Sequence, residues 1–288
     1  MDISVIIVSC NSGALLKNCL DSISGQAGPG VEVIIVDNGS SDRSVEALKS
    51  AYGSVRFIEN RQNLGAAQAR NQAIARSEGE WVLTLDSDII LGNGFIEAFK
   101  ELRPKLTPDT GMVQPNILTE DGGRVYSHGI YLTAIKRFYD YDKGMPADRN
   151  GKHLCKVTGP CSAAAFYKRD MLEEVKQETG YFDKRFFFLV EDIDLALRCR
   201  NAGWSSLYCP CAVCFHKGGS FHTDKRVRQY LSYRNRKLMI KKNVCPPAHS
   251  AYKILQVFYE SFRFMYLFIF NRYARAGSLP EDILRPVP

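Results

Sequence analysis

Leu83-Thr84-Leu85-Asp86-Ser87-Asp88-Ile89 is an apolar run that ends abruptly in two carboxylates one residue apart. Alternate residues of an extended chain point the same way. Asp86 and Asp88 therefore offer two hard oxygen ligands suited to Mg²⁺ or Mn²⁺. A divalent ion there would most naturally neutralise a diphosphate. A strand followed by a helix-capping Asp has the same local pattern, so the rest of the chain must decide. A second acidic cluster, Glu191-Asp192-Ile193-Asp194, follows Phe186-Phe187-Phe188-Leu189. Burial beside an aromatic wall raises a carboxyl pKa toward that of a useful general base. Acids that open a helix also complement its dipole, a role that suits Asp194.

His216 ends Ala212-Val213-Cys214-Phe215-His216 at a strand tip. Cys209, Cys211, Cys214 and His216 raise the alternative of a zinc site. Strand alternation would put Cys209 and Cys211 on one face and Cys214 and His216 on the other. No second Cys-x-x-Cys or His pair accompanies them, so buried thiols are expected. Thr158-Gly159-Pro160-Cys161-Ser162-Ala163 is a run of small residues that permits close approach of a substrate or of backbone.

These residues need a frame. The first hundred residues alternate β-rich runs with helical patterns, as in a parallel sheet covered by helices. Ile3-Ser4-Val5-Ile6-Ile7-Val8 reads as a buried strand, and Asn11 or Ser12 as the cap of the helix that follows. Residues 31–36 form a second strand ending on Asp37, with Asp42 placed to cap the next helix. Residues 55–58 and 81–85 supply two more strands. Three of the four strands thus deliver polar clusters to one sheet edge: Ser9-Cys10-Asn11, Asp37-Asn38-Gly39 and Asp86-Ser87-Asp88. Open α/β sheets bind ligands at that edge. Asp37 is suited to accept hydrogen bonds from a base or ribose, or to close a turn. From about 107 to 151 the pattern turns irregular, as in an acceptor-side half with mixed strands.

The net charge is +7, with nine Lys and Arg between residues 217 and 242 against Asp224 alone. That end favours anions. No Gly-x-x-x-x-Gly-Lys-Ser/Thr occurs, and no Gly-x-Gly-x-x-Gly follows the first strand, which argues against a P-loop or a dinucleotide dehydrogenase. The apolar N-terminal run is too short for a signal sequence. No segment reaches the roughly 18 apolar residues of a membrane span. The expected setting is cytoplasmic, with reduced thiols. Residues 252–275 interleave Phe and Tyr with Lys253, Arg263, Arg272 and Arg275. They suit a helix lying in the headgroup region at the inner face of a membrane, or one packed on the domain or on a partner.

Taken together, Val5 to Asn11, Val33-Ile34-Ile35-Val36-Asp37-Asn38-Gly39-Ser40-Ser41-Asp42, Asn63-Leu64-Gly65, Asp86-Ser87-Asp88 and the stretch from Phe186 to Leu195 resemble a family-2 inverting glycosyltransferase of GT-A fold. The nearest branch is that of rhamnosyltransferase-like enzymes of surface-polysaccharide assembly. The resemblance implies an α/β fold with a mostly parallel central sheet flanked by helices. Residues 1–220 would form the catalytic domain and 221–288 a basic, aromatic helical extension. It implies that Asp37 contacts the base, and that Ser9, Asn11, Asn63, Gly65 and Arg70 lie about the nucleotide. Gly159 would border donor sugar and acceptor. Asp86, Asp88 and His216 would hold Mg²⁺ or Mn²⁺, and Asp192, or else Glu191, would be the catalytic base. The donor would be a nucleotide-diphosphate sugar such as dTDP-rhamnose or a UDP-sugar, and the acceptor a glycan or lipid-linked glycan, with no nucleic acid involved. A nucleotidyltransferase would share the sheet and carboxylates but needs a Gly-rich basic loop, which Ser9-Cys10-Asn11-Ser12-Gly13 is not. A noncatalytic anion-binding protein would need no such acids together.

Overall fold

A computed structural model describes residues 1–149, 153–218, 224–243 and 250–277. The N-terminal elements alternate β1 (Ile3–Ser9), α1 (Gly13–Ser24), β2 (Val31–Asp37), α2 (Ser44–Ala51), β3 (Arg56–Glu59), α3 (Ala66–Ile74) and β4 (Trp81–Asp86). Short β5 (Ile89–Leu91) and α4 (Phe95–Leu102) precede the long β6 (Thr110–Thr119). Four small strands follow: β7 (Val125–Ser127), β8 (Ile130–Leu132), β9 (Phe138–Asp140) and β10 (Cys155–Lys156). The chain then runs through β11 (Ala164–Lys168), α5 (Arg169–Val175), α6 (Glu191–Asn201) and β12 (Ser205–His216). Among the described residues three helices come last: α7 (Lys225–Lys242), α8 (Ser250–Phe270) and α9 (Arg272–Ala276). The division expected between residues 220 and 221 lies outside the described residues.

The main sheet has the order β10-β12-β6-β11-β4-β1-β2-β3, with β5 on β12 and β7 on β6. From β4 to β3 every pairing is parallel. Beyond β4 the sheet is mixed, with β11 antiparallel to both neighbours and β12 parallel to β6. Period-two alternation sorts the buried strands onto two faces. Val5, Ile7, Val33, Ile35, Leu83 and Leu85 meet α1 and α4 on one face. Ile6, Ile34, Val36 and Val82 meet α3, α5 and α6 on the other. Each such side chain contributes about 1.5–3 kcal/mol of burial, which makes this sheet a rigid base for its edge.

Register places the chemistry at that edge. Ser9 stands opposite Asp37 and Val8 opposite Asp86, so the three polar clusters end in line. At the far side, His216 pairs with Ile89 across β12 and β5, one residue from Asp88.

Candidate active site

The first acidic corner is built by strands. Asp86 ends β4, and Asp88 sits in the tight turn into β5. His216, the last residue of β12, brings Nε2 to 3.0 Å from Asp88 Oδ1. Lys217 N–H donates to the Asp88 carbonyl at 3.2 Å, which fixes the strand end. Tyr126 meets the imidazole edge-on with centroids 4.1 Å apart. One ligand atom from each of Asp86, Asp88 and His216 lies within 4.8 Å of the others. His216 Nδ1 is buried and makes no hydrogen bond among the described residues. Two carboxylates and an imidazole on one small patch fit a divalent ion.

The second corner opens a helix. Glu191 and Asp192 are the first residues of α6, behind a loop whose backbone is unusual. Phe187, Leu189 and Val190 all have positive φ, of 63°, 69° and 77°. For bulky and β-branched residues this is a strained conformation, costing about 1–3 kcal/mol each. The loop is held from outside. Asn235 of α7, fully buried, donates to the carbonyls of Phe186, Phe188 and Leu189 at 2.7–2.8 Å. Lys242 of the same helix reaches Asp183 and Asp194 at 2.6 and 2.8 Å. Asp194 also takes Arg198 at 3.0 Å, which gives it the structural role expected.

Arg70 joins the two corners. From α3, and buried, it donates through Nη1 to Glu191 Oε1 at 2.7 Å and through Nη2 to Asp86 Oδ1 at 2.9 Å. Burial works against its charge, but Asp86 and Glu191 more than offset this and keep it protonated. Burial raises the carboxyls of Asp86 and Glu191 above the usual range, opposed by Arg70. Asp192 is pushed up to about 7, by burial first and then by the charge of Glu191. Its Oδ1 accepts from Ile193 N–H at 2.8 Å and its Oδ2 from Ser162 N–H at 3.4 Å.

Both corners face one cavity of about 270 Å³, lined by Asp86, His216, Arg70, Glu191 and Asp192. Tyr126, Phe138, Tyr139 and Phe188 give it an aromatic wall. Ser9, Asn11, Asp37, Asn63, Gly65 and Gly159, singled out from the sequence, do not line it, although the adjacent Cys10, Asn38 and Ala66 do. Asp37 accepts from Ser40 N–H and Oγ–H at 3.1 and 2.5 Å, while burial raises its pKa. Asn11, at φ 50°, receives Ser41 N–H at 2.8 Å and so fastens the loop after β2. Asn63 Oδ1 accepts from Asn38 and from Gly65 N–H. Gly65 has φ 84°, and a Cβ there would strike Phe187. Gly159 packs against α6, where a Cβ would collide with Ala196, so its smallness serves a backbone approach. Asn38 and Ser87, from the polar clusters, and Ser162, from the run of small residues, line the cavity too; Ser12 also lines it, though the sequence marked it only as a helix cap. Asn235 carried no signal in the sequence.

Three local expectations are corrected. Ser12 stands at the N-cap of α1 but makes no side-chain cap bond. Its hydroxyl instead links Ser9 and Ser87, at 2.9 Å each, across the strand ends. The N-cap of α2 is Arg43, in left-handed backbone, and not Asp42. The alternation of cysteines along β12 is broken by a register shift between Cys209 and Val213. Cys209 and Cys214 therefore share one core, while Cys211 is exposed.

Comparison with known proteins agrees with this geometry. Residues 4–176 match the family described as Glycosyl transferase family 2. Over 255 residues the chain is 29% identical to an N-acetylglucosaminyl-diphospho-decaprenol L-rhamnosyltransferase of Mycobacterium tuberculosis, covering 76% of this chain and 78% of that one. Among solved structures, S. aureus TarS 1-349 superposes with TM-score 0.60 at 17% identity, over 98% of this chain and 77% of the other. The mannosyltransferase PcManGT from Pyrobaculum calidifontis, in complex with GDP-Man and Mn²⁺, gives 0.60 at 21% identity, over 96% and 76%.

Proposed function

The chain belongs to glycosyltransferase family 2 and has its GT-A fold, and we propose that it moves a sugar from a nucleotide-diphosphate donor to an acceptor hydroxyl with inversion. The observation that supports this most is the shared cavity: Asp86 and His216 lie on one side, Asp192 on the other, and Arg70 ties the two. In the proposed reaction Asp192 accepts the proton of the attacking hydroxyl, which bonds to the anomeric carbon as the bond to the diphosphate breaks. One in-line displacement inverts that centre. General-base help of this kind is worth about 10²–10⁴ in rate. Glu191, bound to Arg70, positions the start of α6 and leaves Asp192 as the base. Asp86, Asp88 and His216 would hold Mg²⁺ or Mn²⁺, which when bound neutralises the charge of the departing diphosphate.

Ser9, Asn11, Asp37, Asn63 and Gly65 shape the nucleotide side in this reading. The catalytic domain is taken as 1–220, with 221–288 as its helical extension. Similarity to a rhamnosyltransferase acting on a diphospho-decaprenol acceptor supports dTDP-rhamnose as donor, or else a UDP-sugar, and a glycan or lipid-linked glycan as acceptor. A cytoplasmic setting suits the eight described cysteines, all free thiols.

Calorimetry with UDP, dTDP and GDP, with and without Mn²⁺, tests the proposal. Metal-dependent nucleotide binding that disappears in a folded Asp88→Ala variant is expected. Binding indifferent to metal would overturn the assignment of that corner. A hydrolysis screen across nucleotide sugars then identifies the donor.

A further inference from the structure

α8 is an amphipathic helix turned inside out. Gln256, Tyr259, Glu260, Arg263 and Leu267 recur at helical spacing and are its partly or fully buried positions. Glu260 forms an ion pair with Arg236. Tyr259 lies under the guanidinium groups of Arg236 and Arg137, each 5.1 Å from its ring centre. Arg263 donates to Ser232 at 3.0 Å. The apolar residues point the other way: Phe258, Phe262 and Phe270 are 69%, 67% and 63% exposed, and Val257, Met265 and Ile269 are also exposed. A continuous apolar face of this size on a folded chain marks a contact with something apolar.

We propose that this face lies in the headgroup region of an anionic bilayer. Among the described residues, no helix is long and apolar enough to cross a membrane, and Glu260 and Arg263 occupy the inner side of α8. That leaves an in-plane placement, the geometry of interfacial helices with apolar faces and basic rims. The rim has the right sign. Residues 224–277 carry twelve Lys and Arg against two acids, Asp224 and Glu260, the second consumed by Arg236. Exposed cations stand on both neighbouring helices, Arg226, Lys237 and Lys241 on α7 and Arg272 and Arg275 on α9. Basic residues held near an anionic surface add to the attraction. A second copy of the chain would press two such rims together against their repulsion.

The surface is continuous with the cavity. Arg137 stacks between Tyr139 and Tyr259, 4.9 and 5.1 Å from their ring centres, and so ties β9 to α8. Phe138 and Tyr139 line the cavity on that side. A lipid-linked acceptor is thus the class this face would serve, a clause that rests on the glycosyltransferase reading; the bilayer contact itself does not.

Flotation of the full chain with vesicles of phosphatidylcholine alone, or with about 30% phosphatidylglycerol added, tests it. At least tenfold tighter binding to the anionic vesicles is expected. Phe258→Asp with Phe262→Asp, both on the exposed face, should weaken it at least tenfold while circular dichroism and nucleotide calorimetry stay unchanged. Flotation equal for both vesicles, absent from both, or unaltered in the double variant would overturn the proposal. So would a dimer in light scattering that the double variant dissolves, since a second copy would then cover the face. Nucleotide binding in the same preparations reports separately on the transfer reaction.

Discussion

At one end of the cavity, Asp86, Asp88 and His216 hang from strand ends whose register alone brings them together. At the other, Glu191 and Asp192 begin a helix behind three residues of positive φ, and α7 supplies the bonds that keep that loop in place. The strand corner inherits its rigidity from a close-packed sheet. The helix corner is a strained conformation over-determined by its surroundings. The difference teaches where each should fail: isosteric substitutions of the carboxylates that face the cavity should remove a function and spare the fold, whereas those that loosen the supports of the helix corner should cost both.

The sharpest separation comes from Asp192→Asn. It keeps the size and, through the amide oxygen, the 2.8 Å bond from Ile193 N–H, gives up the longer 3.4 Å bond from Ser162 N–H, and removes the proposed base, so kcat should fall about 10²–10⁴. Nucleotide affinity and melting temperature should hold. Steady-state kinetics beside calorimetry checks this. A loss confined to nucleotide affinity would mean that the carboxylate binds the donor and does not take a proton.

Arg70→Met breaks the bridge between the corners. It leaves Glu191, only 4% exposed, without its cation. Removing one partner of a buried pair typically costs about 3–5 kcal/mol, to be read from denaturant midpoints. Arg70→Lys should recover part of it, since a point charge cannot serve two carboxylates in a fork. Unchanged stability in Arg70→Met would show the corners to be independent.

Legibility in the sequence follows the same divide. The strands, their carboxyl edge and the Asp86-Ser87-Asp88 turn are local patterns, and they could be read from neighbouring residues. His216 was reachable only through the family resemblance, because its partner Asp88 lies 128 positions away and only the β5–β12 register joins them. Arg70 could be assigned to the nucleotide side, yet its bond to Glu191 spans 121 residues. Asn235 sits inside a basic helix with no pattern to mark it. α8 misleads for another reason: periodicity reports an apolar face, and such faces ordinarily turn inward, whereas here the Glu260–Arg236 ion pair, the Arg263–Ser232 hydrogen bond and the arginines over Tyr259 draw the polar face in.

Asn235→Ala sharpens the contrast by acting on the helix corner without touching the cavity. Three carbonyls lose a buried donor, worth about 1–3 kcal/mol. The released loop should let Asp192 drift, lowering kcat several-fold with the nucleotide KM nearly unchanged. Asn235→Asp, which cannot donate, should do no better. If melting temperature falls while kcat does not, α7 supports the fold and not the base.

The smallest effect is a pH dependence, and its sign distinguishes the corners. As the proposed base Asp192 must act as a carboxylate, and it is raised to about 7, so protonation below that value would remove the active form. Activity should rise about tenfold per pH unit through the acid limb and level off above the midpoint. The charge of Glu191 pushes that midpoint up and Arg70 pulls it down. Glu191→Gln should therefore move the limb to lower pH, even where the rate at the plateau falls. Arg70→Met, if it folds, should move the limb to higher pH. Asp88→Asn, at the strand corner, should lower activity without moving it. A limb that ignores Glu191→Gln and follows Asp88→Asn would assign the titration to the strand corner, and the division of labour between the two would have to be reversed.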